Sequence, residues 1–409
     1  MAELIKIILN FSERAGEIAR SIRREPKLFS LLVEEKGESE KNQRFTHDFK
    51  TLADVLIQEA LRHYLTQMIP SLGDHVQGEE SAEFTNTLGE KITVRICDTQ
   101  QETAILLAKV LDGNQEAADI LADVVHSDIS WSPEPELIEK IPNLPIEKLG
   151  IWIDPVDSTG EYVKGKTGTT QGNIYSQGLQ CVTVLIGLYD RMSGLPVGGV
   201  INQPFAVFNE ESKRVYWGVS HGGINIHNVP LDTYNTEDGR PVLVMSSSED
   251  TKIQDKFNKI FTVLHATGAG YKLLVVALGY AAACVSSKGS TFRWDTGAPH
   301  GLLTAQGGGV VIFNETSLLA TEPNSESQTL QQMSAHDDAY SSEIPTDPLP
   351  EISGDETPAK IELAAGTPGI GVTCMDPSEE PSPWVNSSVG PPDGSTSGSS
   401  VAPKPQTPL

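Results

Sequence analysis

Apolar periodicity runs through the chain to about residue 314 and then stops, and this break limits how much of the polypeptide can build a core. The chain has 409 residues, and residues 315–409 hold 14 of its 26 prolines, with 15 Asp or Glu against 2 Lys. Such a stretch cannot bury enough apolar surface to offset its chain entropy. It is expected to be an acidic, Pro/Ser-rich disordered tail. The first 314 residues carry 40 acids and 28 bases, with ample apolar material for a core. The net charge of −25 argues against binding nucleic acid or anionic membrane, whose phosphates would be repelled.

Cys97, Cys181, Cys284 and Cys374 are widely spaced and form no CxxC pair. They read as free thiols of a reducing compartment. The N-terminus has no signal-peptide pattern. The longest apolar run, about residues 273–285, contains Gly279 and is too short to span a bilayer. A soluble, cytoplasmic protein is expected, and a monomer.

Helical spacing predicts helices over residues 3–25 and about 48–68, and a helix or helix pair over 102–125 broken near Asp112-Gly113. Residues 130–148 read as a Pro-rich connector. Residues 149–153 form an apolar run that ends at Asp154-Pro155. Further strands are expected over 179–189, 197–201, 215–227 and 242–246, with a hairpin turn at 190–194. Residues 228–240 read as a polar loop. Residues 271–284 and 299–306 read as helices, and 310–313 as a strand. Helices alternating with largely antiparallel strands give an α+β layered body. Three parts are expected: an α+β part over 1–190 with most metal ligands and a helical insertion at about 98–148, a part over 191–314 with substrate contacts and Asp295, and the tail over 315–409.

Acidic clusters punctuate this body: Gly78-Glu79-Glu80, Asp154-Pro155-Val156-Asp157-Ser158-Thr159, and Trp294-Asp295, with Asp54 standing alone. Pro155 fixes the turn between two aspartates at a strand end. Carboxylates, the Val156 carbonyl and the following hydroxyls suit a hard cation beside a bound phosphate. Read singly, the same residues are ordinary helix caps and solvated loop acids.

In this order, and followed by Gly307-Gly308-Gly309, these motifs resemble the lithium-sensitive, magnesium-dependent phosphomonoesterase family of inositol monophosphatase and fructose bisphosphatase. The likeness covers about residues 1–313. The stretches Phe49–Asp54, Gly178–Thr183, 199–204 and 268–272 resemble the branch of the family that acts on inositol polyphosphates. The resemblance implies an alternating αβαβα layered sandwich and hydrolysis of a small inositol polyphosphate, with bisphosphate nucleotides as the rival substrate class. A non-catalytic phosphate-binding chain is the rival from outside enzymes. It further implies two or more Mg²⁺ held by Glu79, Glu80, Asp154, the Val156 carbonyl, Asp157 and Asp295, with Li⁺ as inhibitor. Asp54, Thr159 and Glu79 take the catalytic positions, and Ser158, Thr159, Gly268, Ala269, Lys272 and Ser290 the substrate contacts. The chain departs from the family at Gly160, where a bulkier residue is usual, at Asp250, near a substrate-contacting lysine of relatives, and in its C-terminal stretch.

Overall fold

The computed structural model describes residues 2–24, 33–36, 49–127, 135–206, 214–230, 239–312 and 370–375. In chain order the helices are α1 (Ala2–Arg24), α2 (Leu52–Met68), α3 (Pro70–Gly73), α4 (Gln100–Val110), α5 (Gln115–His126), α6 (Pro135–Ile138), α7 (Thr159–Lys164), α8 (Thr251–Phe257), α9 (Ala269–Ala277) and α10 (Arg293–Ala305). Three two-stranded ribbons pair β1 (Val33–Glu35) with β2 (Phe49–Thr51), β4 (Glu83–Thr85) with β5 (Lys91–Thr93), and β7 (Thr170–Gln171) with β8 (Ile174–Tyr175). The first large sheet contains β3 (Val76–Gly78), β6 (Leu149–Asp157), β9 (Thr183–Asp190), β10 (Pro196–Asn202), β11 (Val215–His221) and β12 (Ile224–His227). The second contains β13 (Val242–Met245), β14 (Thr262–His265), β15 (Ala283–Thr291), β16 (Gly309–Ile312) and β17 (Ile370–Met375).

Side-chain alternation explains the layering. In β6 and β9, Ile151, Ile153, Val184, Ile186 and Leu188 face one core with α1 and α2, while Leu185 faces the opposite core with α9 and α10. In β13, Val242 and Val244 join that second core, whereas Leu243 and Met245 pack with Phe257 and Phe261 beyond the second sheet. A period of two thus sorts each strand between neighbouring layers. The result is helix, sheet, helix, sheet, helix, the αβαβα sandwich the resemblance implies. The α1 stripe of Leu4, Ile8, Phe11, Ala15, Ile18 and Ile22 is almost fully buried. Each such aliphatic side chain contributes about 1.5–3 kcal/mol.

The first sheet runs β12-β11-β10-β9-β6-β3 and is antiparallel except where β3 meets β6. The second runs β14-β13-β15-β17-β16 with every pair parallel, contrary to the largely antiparallel expectation. The boundary expected at 190/191 falls in the hairpin that joins β9 to β10, so one sheet draws on both parts.

Several local readings are corrected. Strand β6 does not stop at Ile153 but continues through Pro155 to Asp157. The register against β9 shifts between Asp154 and Asp157, and a proline without an N–H is tolerated at such an irregularity. The expected helix over 271–284 ends at Ala277; Gly279 turns the chain at φ +75, and the remaining apolar residues enter β15. A short apolar run does not reveal its own secondary structure. Helix α10 begins at Arg293, with Pro299 inside it rather than at its first turn. The strand expected over 215–227 is a hairpin turned by Gly222 and Gly223, both at positive φ. The break at Asp112-Gly113 is present, with both residues at positive φ. Of the expected loop over 228–240, residues 231–238 lie outside the described residues.

Within the stretch read as tail, residues 370–375 form β17, placed between β15 and β16. The rest of 315–409 lies outside the described residues. Cys97, Cys181 and Cys284 are free. No helix among the described residues is long and apolar enough to cross a membrane.

A chain ending at residue 376 is expected to keep the thermal transition of the full chain. One ending at 314 loses β17 and the ladder bonds on both its edges, at a cost of about 5 kcal/mol or more. Calorimetry should show a drop in Tm of about 10 °C or more for the shorter chain.

Candidate metal and phosphate site

The site forms where four elements end. Strand β6 delivers Asp154 and Asp157, both buried. Asp154 Oδ1 accepts from the Val156 N–H at 3.1 Å. Ser158 then takes the left-handed conformation, φ +72, and turns the chain into α7. Thr159 Oγ1 donates to the Val156 carbonyl at 3.0 Å, which orients that oxygen.

Asp157 is tied to the neighbouring strand β9 and to the helix layer beyond it. Its Oδ2 accepts from Thr183 Oγ1 and from Gly270 N, each at 3.0 Å, and more weakly from Tyr271 N at 3.4 Å; Oδ1 accepts from Ala269 N at 3.2 Å. The carboxylate therefore caps α9 from outside the helix and satisfies otherwise orphaned first-turn donors. Gly268 permits this approach. It sits at φ +80, and a Cβ would stand 2.9 Å from the Cys181 carbonyl and 3.0 Å from Asp157 Oδ2. Lys272, buried in the same helix, donates from Nζ to the Gly268 carbonyl at 2.9 Å.

Two helix starts supply the remaining acids in the same way. At α10, Asp295 Oδ2 accepts from Phe292 N at 2.6 Å. At α2, Asp54 Oδ2 accepts from Thr51 N at 2.7 Å and Thr51 Oγ1 at 2.6 Å. The other oxygen, Asp54 Oδ1, is buried and has no hydrogen-bond partner among the described residues. Asp154, Asp157 and Asp295 each bring a carboxylate oxygen within 4.8 Å of the others. Charges that close repel by about 3–4 kcal/mol per pair at an effective dielectric near 20.

Proton affinities report this crowding. Burial, then Glu79, Asp157 and Asp295, push Asp154 far above the usual carboxylate range. Burial, then Asp157 and Glu79, do the same to Asp295. Burial raises Asp157 too, against Lys272 and its hydrogen-bond donors, which favour the ionised form. Asp54 is pushed up to about 7 by burial, opposed by the Thr51 hydroxyl and reinforced by Glu79.

Glu79 and Glu80 follow β3. Gln58 holds the Glu80 backbone on both sides, accepting from its N–H at 3.1 Å and donating to its carbonyl. Lys36 Nζ lies 2.6 Å from Glu79 Oε1 and 2.7 Å from Glu80 Oε1. Burial opposes the Lys36 charge, but the two glutamates outweigh it and raise its proton affinity.

Of the residues expected at the site, the structure thus gathers Asp154, Asp157 and Asp295 into one cluster and ties Gly268 and Ala269 to Asp157. Glu79 acts on that cluster electrostatically while pairing with Lys36, and Glu80 pairs there too. Ser158 and Thr159 open α7 beside the aspartates. Ser290 lies near the end of β15, on the strand that leads into α10. Asp250 is a helix cap, accepting from Lys252 N at 2.7 Å. Gly160 has open space where a side chain would project. Sequence reading missed Lys36, Thr51, Gln58 and Thr183 as supports. Only Thr51 carried a local signal, the Thr-x-x-Asp capping pattern.

The residues present suit a hard divalent cation. The donors are carboxylate oxygens held close against their own repulsion, with a buried, unpartnered oxygen on Asp54 nearby.

Comparison with known proteins agrees with this chemistry. The sequence pattern of the inositol monophosphatase family matches residues 114–341. The chain is 44% identical over 338 residues to a Bos taurus inositol polyphosphate 1-phosphatase, covering 77% of this chain and 84% of the relative. The Mus musculus protein of the same name is 45% identical over 335 residues, with the same coverage. A Dictyostelium discoideum 3'(2'),5'-bisphosphate nucleotidase 1 is 34% identical over 188 residues, covering 42% of this chain and 56% of that one.

Two outcomes follow from this geometry. Gly268→Ala adds a Cβ at positive φ against Asp157, and is expected to lower unfolding free energy by about 1–3 kcal/mol in denaturant titration. Asp54, Asp154 and Asp295 hold protons more tightly folded than unfolded. In EDTA, the stability these carboxylates contribute should therefore be greatest below the ordinary 3.8 of aspartate and fall as pH rises from there through the 7 or so of Asp54. Added Mg²⁺ should remove most of this fall, read as Tm against pH.

Proposed function

Because the chain belongs to the inositol monophosphatase family, we propose that it is a magnesium-dependent phosphomonoesterase that removes the 1-phosphate from inositol 1,4-bisphosphate and inositol 1,3,4-trisphosphate. The products are inositol 4-phosphate and inositol 3,4-bisphosphate. The observation that carries the reading is the buried aspartate cluster beside the unpartnered Asp54 oxygen, in a chain this similar to inositol polyphosphate 1-phosphatases.

In this proposal Asp154, Asp157 and Asp295 hold Mg²⁺, with the Val156 carbonyl, Glu79 and Glu80 as further oxygen donors. The bound cation supplies neutralisation of charge on the attacking and leaving oxygens and makes water more acidic. For Glu79 and Glu80 to serve as ligands, they must exchange the Lys36 ammonium for the metal. Lithium inhibits by taking one of the carboxylate-held positions.

Asp54 is the proton acceptor. Thr51 binds Oδ2 twice, so the carboxylate cannot rotate, and Oδ1 is left to take a proton from water. Thr159 orients the same water while its own proton rests on the Val156 carbonyl. Water oxygen bonds to phosphorus, the bond from phosphorus to the inositol oxygen breaks, and that oxygen takes a proton from a second solvent water to leave as a hydroxyl, while the proton held by Asp54 passes to the hydroxide so formed. No covalent enzyme intermediate is formed. Lys272 and the first-turn N–H groups of α9 add positive potential near Asp157 that admits a polyanion to an acidic protein.

Phosphate release from inositol 1,4-bisphosphate should require Mg²⁺, disappear in EDTA and be inhibited by lithium. Asp54→Asn should lower kcat by about 10²–10⁴-fold. Full activity in EDTA would end the proposal. Faster turnover of adenosine 3',5'-bisphosphate in a parallel assay would transfer the substrate assignment to nucleotides.

A further inference from the structure

One face of the inserted helix α4 is apolar at its centre and exposed. Glu102, Ile105, Leu106 and Lys109 recur there at the i, i+3, i+4 and i+7 spacing of a single helical stripe. The opposite side of the helix is taken up by the core, with Ala104, Leu107 and Val110 buried. Ile105 nevertheless stays 58% exposed. A cavity of about 470 Å³ runs along the stripe, and Ile96, Cys97 and Asp98, which lead into α4, line it as well. Leu88, at the turn between β4 and β5, is 71% exposed. It belongs to the far end of the same helix, because Asn86 Nδ2 donates to the Lys109 carbonyl at 3.2 Å. Single exposed apolar residues are ordinary, whereas several along one groove mark a contact surface.

The charges on this stripe identify what it fits. Asp98 and Glu102 stand at the start of α4 and Lys109 near its end. Glu102 is held in place: its carboxylate accepts from Thr99 Oγ1 at 2.9 Å, and its N–H donates to Thr99 Oγ1 at 3.2 Å. Seven residues separate Glu102 from Lys109, about 10 Å along the axis, so the two do not pair within one chain. A second α4 turned by 180° about an axis through the middle of the stripe runs antiparallel to the first. Ile105 then faces the partner's Leu106, and Glu102 faces the partner's Lys109. The two-fold axis repeats both contacts, so two ion pairs flank an apolar centre. A parallel arrangement would instead set Glu102 against the partner's Glu102. Separation of charge along the helix thus makes the face complementary to itself in one orientation. A helix of 11 residues is about 16 Å long, which puts such an interface in the small, reversible class.

We propose that this face joins two copies of the chain, α4 against α4, in a reversible antiparallel dimer. That departs from the monomer expected from the sequence. The test is sedimentation of the full chain in reducing buffer at low salt, at concentrations up to about 200 μM. Monomer and dimer should exchange with a Kd on the order of 10 μM. Ile105→Lys should abolish the dimer. Glu102→Lys and Lys109→Glu each set like charges across the axis, and each alone should weaken association about tenfold or more. Both positions are exposed, so neither reversal disturbs the packing of the chain. Mixed in equal amounts, the two variants should form a heterodimer about as tight as the wild-type dimer, because both ion pairs are restored between unlike chains. A chain that stays monomeric throughout this range, a dimer indifferent to Ile105→Lys, or a mixture no tighter than either variant alone would overturn the proposal.

Discussion

The hydrogen bonds accepted by Asp157 hold the molecule's working parts in one frame. A single carboxylate at the end of β6 joins the first sheet, through Thr183, to the first turn of α9 in the layer between the sheets. These bonds favour its ionised form, while burial and crowding oppose it. The fold therefore supplies the restraint that keeps a charge where water would otherwise be needed. Gly268 is part of that restraint, since only a residue without a side chain lets the α9 backbone come so close.

Crowding acidic groups is costly, and the structure shows how the cost is spread. Asp154 and Asp295 meet Asp157 at the junction of β6 and α10, where their carboxylates repel one another. Glu79, half-buried, and Glu80, buried, share Lys36 as their counter-ion. One ammonium thus offsets one of these two charges within the chain. For the inner ones, Lys272 acts on Asp157 and Asp295 from a distance while its Nζ bonds the Gly268 carbonyl. That difference is what suits the inner cluster to the cation of the proposed function and not to a buried salt bridge.

Much of this was legible in the residues. The α1 stripe, the Asp112-Gly113 break and the acid-rich motifs follow from periodicity, turn chemistry and donor type. The errors share a physical cause. The run from residue 273 to 284 carries no charged residue, so nothing local divides it between α9 and β15 except Gly279. Pro155 looked like the end of a strand because its effect depends on the register with β9, which is a property of two strands and not of one. Strand β17 comes from a stretch whose average composition hides six residues of strand. Lys36 and Thr183 were invisible as site residues because their partners lie 43 and 26 positions away, beyond any local pattern.

The ordinary reading of Asp54 and Asp295 as helix caps and the chemical reading as site residues are compatible. Each stands at the third position of its helix and gives one oxygen to the N–H of the residue that precedes the helix. A carboxylate has two oxygens, so the cap uses one and leaves the other. Capping fixes the side-chain torsions, and with them the direction of the second oxygen, at no extra entropic cost. For Asp54 that second oxygen is buried without a partner. A surface cap would have lost it to water. In the proposed mechanism, burial at a layer junction turns a common helix-starting device into a directed proton acceptor, so that site would be built from the same interactions that begin α2 and α10.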